Sequence, residues 1–419
     1  MKNHRRILLA TLCSLSIATS SSAALAADKK SENPNNILMR TTHTVPAGEH
    51  QVPFDFSFGM PIISVKIGGK MRRFAFDTGA VMTLDAKLAD ELKLLEETAV
   101  KVTDSQGLSQ QRGVLVVPEM ELGPASFKNQ PAIVADLNHP ESPMACVKLD
   151  GLFGNTAMRL IRSWSIDYDK KKITFSEDPM AIDADALVSS ASNMAGSGPR
   201  VNTRFGKGIE TDIIIDTGKQ GGFTLPVSFM GELAGAGRLA PAPVLRLMSF
   251  QQSGINKKSD PISYFFARID GFRFGQARMG SVPFSFLDAQ PFVGNAALKY
   301  FKINFDFQQG LVALKPKGSG FLNLVGAFQI QGVERIMEKG KVYVSAVYEG
   351  LKQPVRGVEI GDEILQIDNV KMIDGDIQPI CQLMTAPPAP TGVSTYVLKD
   401  KKGRKKTVKL PFQTPFSLR

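Results

Sequence analysis

The triplet Asp-Thr-Gly occurs twice, each time after a hydrophobic run, at Phe74-Ala75-Phe76-Asp77-Thr78-Gly79 and at Ile213-Ile214-Ile215-Asp216-Thr217-Gly218. A single copy reads as a turn, because Asp and Thr side chains bond readily to nearby backbone. Here the surroundings repeat as well. Asp77 is followed by Leu152-Phe153-Gly154-Asn155, then Ser165-Ile166-Asp167-Tyr168-Asp169 and Lys172-Ile173-Thr174-Phe175. Asp216 is followed by Phe292-Val293-Gly294-Asn295, then Ile303-Asn304-Phe305-Asp306-Phe307 and Leu311-Val312-Ala313-Leu314. The spacing from Asp to the second Gly is 77 residues in the first copy and 78 in the second. Agreement in order, residue type and spacing predicts two copies of one fold.

Two such copies can bring two carboxylates together across a two-fold axis. Two adjacent carboxylates do not readily both ionise, so one keeps its proton while the other is charged, which places an acid and a base in one site. Asp77 and Asp216 are therefore the candidate catalytic pair, with no assignment of which is acid and which is base.

In these residues the chain resembles the retropepsin-like aspartic proteases, with Asp-Thr-Gly after an apolar strand and two apolar residues with Gly-Asn about eighty residues on, once per lobe. The resemblance covers roughly residues 55 to 317. It implies a mainly β chain with two acid-protease lobes in tandem, and an Asp77–Asp216 dyad that holds a water and hydrolyses peptide bonds flanked by apolar residues. Thr78 and Thr217 would fix the loops across the interface. Gly79 and Gly218 would allow a close backbone approach that a Cβ would block. A flap is expected over the cleft, with Ser105, Gln106 and Gly107 at its tip in lobe one and residues 249 to 255 as its counterpart in lobe two. Lobe two departs from the family: where Ala80 follows Gly79, Lys219 follows Gly218. A cation beside the dyad would favour ionised carboxylates. Lys219 thus motivates a rival reading, a peptide-binding protein whose protease lobes have lost turnover.

A further unit starts near Gly318. In Gly357-Val358-Glu359-Ile360-Gly361-Asp362-Glu363-Ile364-Leu365-Gln366-Ile367-Asp368-Asn369 a Gly-Asp turn leads into an alternating strand that ends at an Asp-Asn turn. This segment resembles a bacterial PDZ domain, a small α+β unit that binds an extended peptide as an added strand. The resemblance implies a peptide ligand and a carboxylate loop at Val325, Gly326, Ala327 and Phe328. A helical stretch carries Ile377, Ile380, Leu383 and Met384, is interrupted by Pro379 and ends at Pro387-Pro388-Ala389-Pro390.

Residues 1–26 read as a secretory signal, with Lys2, Arg5 and Arg6 ahead of a short apolar stretch and Ala24-Leu25-Ala26 as a small-residue cleavage site. The stretch is too short to span a bilayer, and no later segment is long and apolar enough to do so. A lipoprotein signal at Cys13 is disfavoured because Leu12 precedes it. The expected location is the periplasm or outside the cell. The expected organisation is a linker or loose first strand over 27–54, lobes over 55–188 and 189–317 joined through the Ser-, Ala- and Gly-rich stretch 189–198, the PDZ-like domain over 318–412 and a tail over 413–419. Cys146 and Cys381 then fall in different domains, so each is expected to be a small buried hydrophobe rather than a disulfide partner.

The net charge of +10 owes much to the run Lys399 to Lys406, which lies between two strand-like segments and reads as a solvated hairpin tip rather than a nucleic-acid arm. The histidines stand in no zinc spacing and no Gly-x-Ser-x-Gly elbow is present. Gly235-Ala236-Gly237-Arg238-Leu239-Ala240 spells part of a dinucleotide fingerprint, but it follows a helical stretch rather than a strand and reads as a loop. No metal or cofactor is expected, and the expected partners are protein or peptide substrates.

Overall fold

Parallel strand pairing explains the repeated spacing. The strand Lys70–Asp77 ends in four buried residues and runs parallel to Gly151–Gly154, with Asp77 opposite Gly154. Ile209–Ile215 likewise runs parallel to Phe292–Val293. Strands covered on both faces carry unbroken apolar runs, as these do. The computed structural model describes residues 40–103, 109–139, 143–194, 198–206, 208–250, 261–318, 321–385 and 392–417.

The rest of each half repeats the same connections. Thr83–Asp85 lies between Gly151–Gly154, antiparallel to it, and Ala125–Ala135, parallel to it. Phe223–Pro226 lies in the same way between Phe292–Val293 and Ala277–Leu287. Short helices follow at Ala86–Glu91 and Val227–Gly235, and again after each Gly-Asn at Asn155–Met158 and Asn295–Leu298. Each half also carries a hairpin: Glu96–Thr103 pairs with Ser109–Leu122, and Leu245–Phe250 pairs with Pro261–Phe274.

The halves meet in one sheet. Ser163–Asp167 pairs antiparallel with Phe301–Asp306, setting Ser165 opposite Asn304, and Lys172–Ser176 and Leu311–Pro316 flank this central pair. The single tryptophan, Trp164, is fully buried there against Phe76, Phe153 and Phe175, and its Nε1 donates to the Met158 carbonyl at 2.9 Å. It therefore backs the residue that precedes Asp77. A matching aromatic group, Phe205, Phe223, Phe272 and Phe284, fills the second half.

The expected linker 27–54 holds two strands in its described part. Thr42–Thr44 pairs with Ser126–Lys128, and His50–Pro53 pairs with the edge of the shared sheet. Both are largely exposed edge strands, so they lack the apolar alternation that marks half-buried ones. The expected boundary at 188/189 falls inside the strand Leu187–Ser192, which joins the shared sheet to the second half.

Residues 333–411 form a further sheet, ordered Val333–Glu338, Lys341–Val347, Glu363–Ile367, Val393–Lys399 and Lys405–Pro411, with Val370–Lys371 beside Glu363–Ile367. The sheet has its own core of Val342, Val344, Ile364, Ile367, Tyr396, Leu398 and Leu410. The cationic run is a hairpin tip, where the Asp400 carboxylate accepts from the backbone N–H of Lys402 and Arg404. Pro379 does not interrupt the helix Gln378–Thr385 but lies in its first turn, where no N–H is required of it.

Two features tie this unit to the halves. Leu245, Leu247, Tyr264 and Phe266 of the second hairpin pack with Val325, Phe328, Ala346, Tyr348, Leu351 and Phe416, and Arg246 and Glu349 exchange backbone hydrogen bonds at 3.2 and 2.7 Å. On the other side, Cys146 of the first half and Cys381 of the helix form a disulfide, with Cα atoms 5.1 Å apart. This corrects the expectation of two unpaired cysteines. Residence in different domains does not separate two cysteines when the domains pack together.

Candidate active site

Each aspartate ends a buried strand and turns into a loop that its own side chain closes. The Gly79 N–H donates to Asp77 Oδ1 at 2.9 Å and the Gly218 N–H to Asp216 Oδ1 at 3.0 Å. The two loops face each other so closely that each carboxyl lies over the other's glycine. A Cβ on Gly79 would stand 2.6 Å from the carboxyl carbon of Asp216, and one on Gly218 would strike the carboxyl of Asp77. The two carboxyl groups therefore interact directly with each other. Asp77 and Asp216 are 9% and 6% exposed, so the pair has little access to water.

The threonines hold this arrangement from beneath. Thr78 Oγ1 donates to the Ile215 carbonyl at 2.6 Å and accepts from the Thr217 N–H at 3.1 Å. Thr217 Oγ1 donates to the Phe76 carbonyl at 2.6 Å and accepts from the Thr78 N–H at 3.0 Å. Each hydroxyl has a single proton, so the 3.4 Å approach of the two hydroxyl oxygens is a contact rather than a further bond. Thr217→Val keeps the shape and removes one hydroxyl, leaving the buried Phe76 carbonyl and Thr78 N–H without partners. The expected loss is about 3 kcal/mol of stability, measurable by urea unfolding with an unchanged slope. A loss under about 0.5 kcal/mol would contradict this role.

The Gly-Asn pairs brace the loops from behind. The Asn155 N–H donates to the Ala80 carbonyl at 2.7 Å, and the Asn295 N–H to the Lys219 carbonyl at 2.7 Å. Asn295 Nδ2 also reaches the carbonyls of Thr217 at 2.6 Å and Lys219 at 2.9 Å. Tyr168 of the first half donates its phenol to Asn295 Oδ1 at 2.7 Å, a buried link that the sequence reading missed. Its one signal was its place in the repeated segment, opposite Phe307 of the second copy. Gly198, at the end of the expected linker, has φ +113°, and a Cβ there would stand 2.6 Å from the Thr78 carbonyl.

Burial drives the electrostatics. The Asp77 carboxyl is held well above the ordinary value of 3.8, first by desolvation and then by the charge of Asp216, with the Gly79 N–H and Lys219 opposing. Asp216 is also raised by desolvation, but Lys219 is the first influence against it, followed by the Gly218 N–H and the Asp77 side chain. Both carboxyls are thus raised by burial, so the pair retains a proton between its two members. Lys219 is half-buried beside the pair, and its Nζ lies 5.1 Å from the centre of the Phe292 ring.

Ser105, Gln106 and Gly107, expected at the flap tip, lie outside the described residues, as does most of the counterpart 249–255. The hairpin arms on either side are in place, with Thr103 opposite Ser109 and Phe250 opposite Pro261. The expected carboxylate loop is folded otherwise. Val325–Ala327 is a 3-10 turn in which the N–H groups of Ala327 and Phe328 donate to Leu324 and Val325. Val325 and Phe328 pack into the seam with the second half, and Gly326 and Ala327 are exposed. Those N–H groups and side chains thus serve the seam rather than a groove.

No curated protein sequence matches the chain. Among solved structures, the aspartic proteinase from Irpex lacteus matches with 14% identity over 64% of this chain and 97% of that one, at a TM-score of 0.38. Residues 63–157, which run from the strand before the first Asp-Thr-Gly to the helix after the first Gly-Asn, match the family model of aspartyl proteases, and in that segment the chain is similar to that family.

Proposed function

We propose that this chain is an exported aspartic-type endopeptidase in which Asp77 and Asp216 activate a water against a peptide bond. The observation that carries the reading is the facing pair of buried carboxylates, each held by the N–H of its own loop glycine and both set on one reciprocal threonine lattice. The ionised member of the pair takes a proton from the water as the water oxygen bonds to the carbonyl carbon. The protonated member gives its proton to the carbonyl oxygen, forming a neutral tetrahedral diol. The member that gave its proton then takes one back from a hydroxyl, and the other passes the proton it took from water to the amide nitrogen as the C–N bond breaks.

The resident disulfide supports export, since such bonds persist in oxidising compartments. The C-terminal unit assists by holding extended polypeptide. Val333–Glu338 is the edge strand of its sheet and offers unpaired backbone for strand addition. The test is turnover of an unfolded polypeptide across acidic to neutral pH. Cleavage with a bell-shaped profile, one limb for each member of the dyad, is expected. Peptide binding with no cleavage at any pH would support the rival, a binding protein built on the same scaffold.

A further inference from the structure

The two halves present different chemistry beside the dyad. Backbone bonding fixes the equivalence: Ala80 and Lys219 each follow Asp-Thr-Gly, and their carbonyls accept from the N–H groups of Asn155 and Asn295 at the same 2.7 Å. Leu152 and Phe292 are also equivalent, each on the strand parallel to its aspartate strand and each two residues before the glycine of Gly-Asn.

In the first half the pair is apolar. Leu152 and Ala80 join Met60, Ile62, Ala75 and Leu149 in one cluster. In the second half Phe292 stands apart from the main core that its neighbour Val293 enters, and its ring carries the Lys219 ammonium. That ammonium forms no ion pair with any described residue. A half-buried cation resting on an aromatic face, with no protein counter-charge except the nearby dyad, is a ready receptor for an anionic group.

We propose that Lys219 and Phe292 form a specificity subsite for an acidic side chain, so that the scissile bond is flanked by an apolar residue on the first-half side and by Glu or Asp on the other. The inference rests on the protease reading of the same cleft. An aliphatic side chain there would cover the ammonium without pairing it. A carboxylate would lie against the cation, which also offsets repulsion from the ionised member of the dyad. The aliphatic stem of a glutamate would meet the Phe292 ring.

The experiment uses uncleavable peptides whose central amide is replaced by a hydroxyethylene group, with Glu, Gln or Leu placed in turn on each side. Binding to the full chain is measured for the wild type and for Lys219→Met. In the wild type the Glu peptide should bind roughly ten- to a hundredfold more tightly than the Gln peptide at one of the two positions. Lys219→Met should abolish that ratio. Equal binding of Glu and Gln peptides by the wild type, or a preference that survives in Lys219→Met, would overturn the proposal. Cleavable versions run in parallel separate the two readings. Turnover without acidic preference sinks the subsite and spares the hydrolase, whereas acidic-selective binding without turnover does the reverse. Binding of none of the peptides overturns both.

Discussion

Asp216→Asn is expected to lower turnover by on the order of 10³-fold or more while leaving the fold intact. The asparagine keeps an oxygen to accept from the Gly218 N–H, now at 3.0 Å, and its amide can donate to Asp77, so the loop stays closed. What it loses is one of the two carboxyls that must exchange protons with the water and the carbonyl oxygen. Asp77→Asn should cost a similar factor, since the pair is broken from the other side. The measurement is kcat on a quenched peptide for both variants, with circular dichroism to verify the fold. Either variant retaining more than about a tenth of wild-type kcat would rule out the paired mechanism.

Asp77→Asn should also change how stability depends on pH. Asp77 is raised well above 3.8 in the folded chain, so between those values the folded state holds a proton that the unfolded state has released. Its contribution is therefore full below 3.8 and is lost as pH rises through the folded value. Wild-type stability should fall with rising pH over that window, and Asp77→Asn should flatten the slope. A steeper slope in the variant would reverse the sign argued here.

The parts of the site carried by local sequence were legible, and those set by docking were not. Asp77, Thr78 and Gly79 match Asp216, Thr217 and Gly218 because each triplet follows a doubly buried strand, whose apolar run shows in sequence. The spacing to Gly154 and Gly294 was legible for a related reason. Both glycines sit where the neighbouring loop passes too close for a Cβ; at Gly294 a Cβ would stand 2.6 Å from the Gly221 carbonyl. Lys219 stood out as a departure, but its resting place on Phe292 depends on two segments meeting in space. Val325 and Phe328 look like loop residues of an isolated small domain. Only the seam with Leu245 and Phe266 gives them their observed role. The segment before residue 55 reads as a linker or a loose first strand, and Thr42–Thr44 and His50–Pro53 are not distinguished within it because exposed edge strands owe their form to the sheets that receive them.

Removing the disulfide should have the largest effect on stability of any change outside the dyad region. Cys146 and Cys381 are 235 residues apart, and closing a loop of that length restricts the unfolded chain by an entropy equivalent to on the order of 5 kcal/mol. The C-terminal unit has its own core, and its apolar seam holds it to the hairpin Leu245–Phe250 and Pro261–Phe274 of the second half. The disulfide is the covalent tie between that assembly and the first half. The paired change Cys146→Ser with Cys381→Ser should therefore lower the melting temperature by several degrees and speed amide exchange in the helix Gln378–Thr385 and in residues 144–149. The seam strands should stay protected, because their packing is untouched. The oxidised wild type treated with a dithiol should reproduce the variant, and the variant itself should not respond to the dithiol. An unchanged melting temperature would show that the seam alone fixes the C-terminal unit. Exchange rising equally in Leu245–Leu247 would show instead that the disulfide supports the seam as well as the helix, because the second hairpin and the C-terminal unit would then have loosened together.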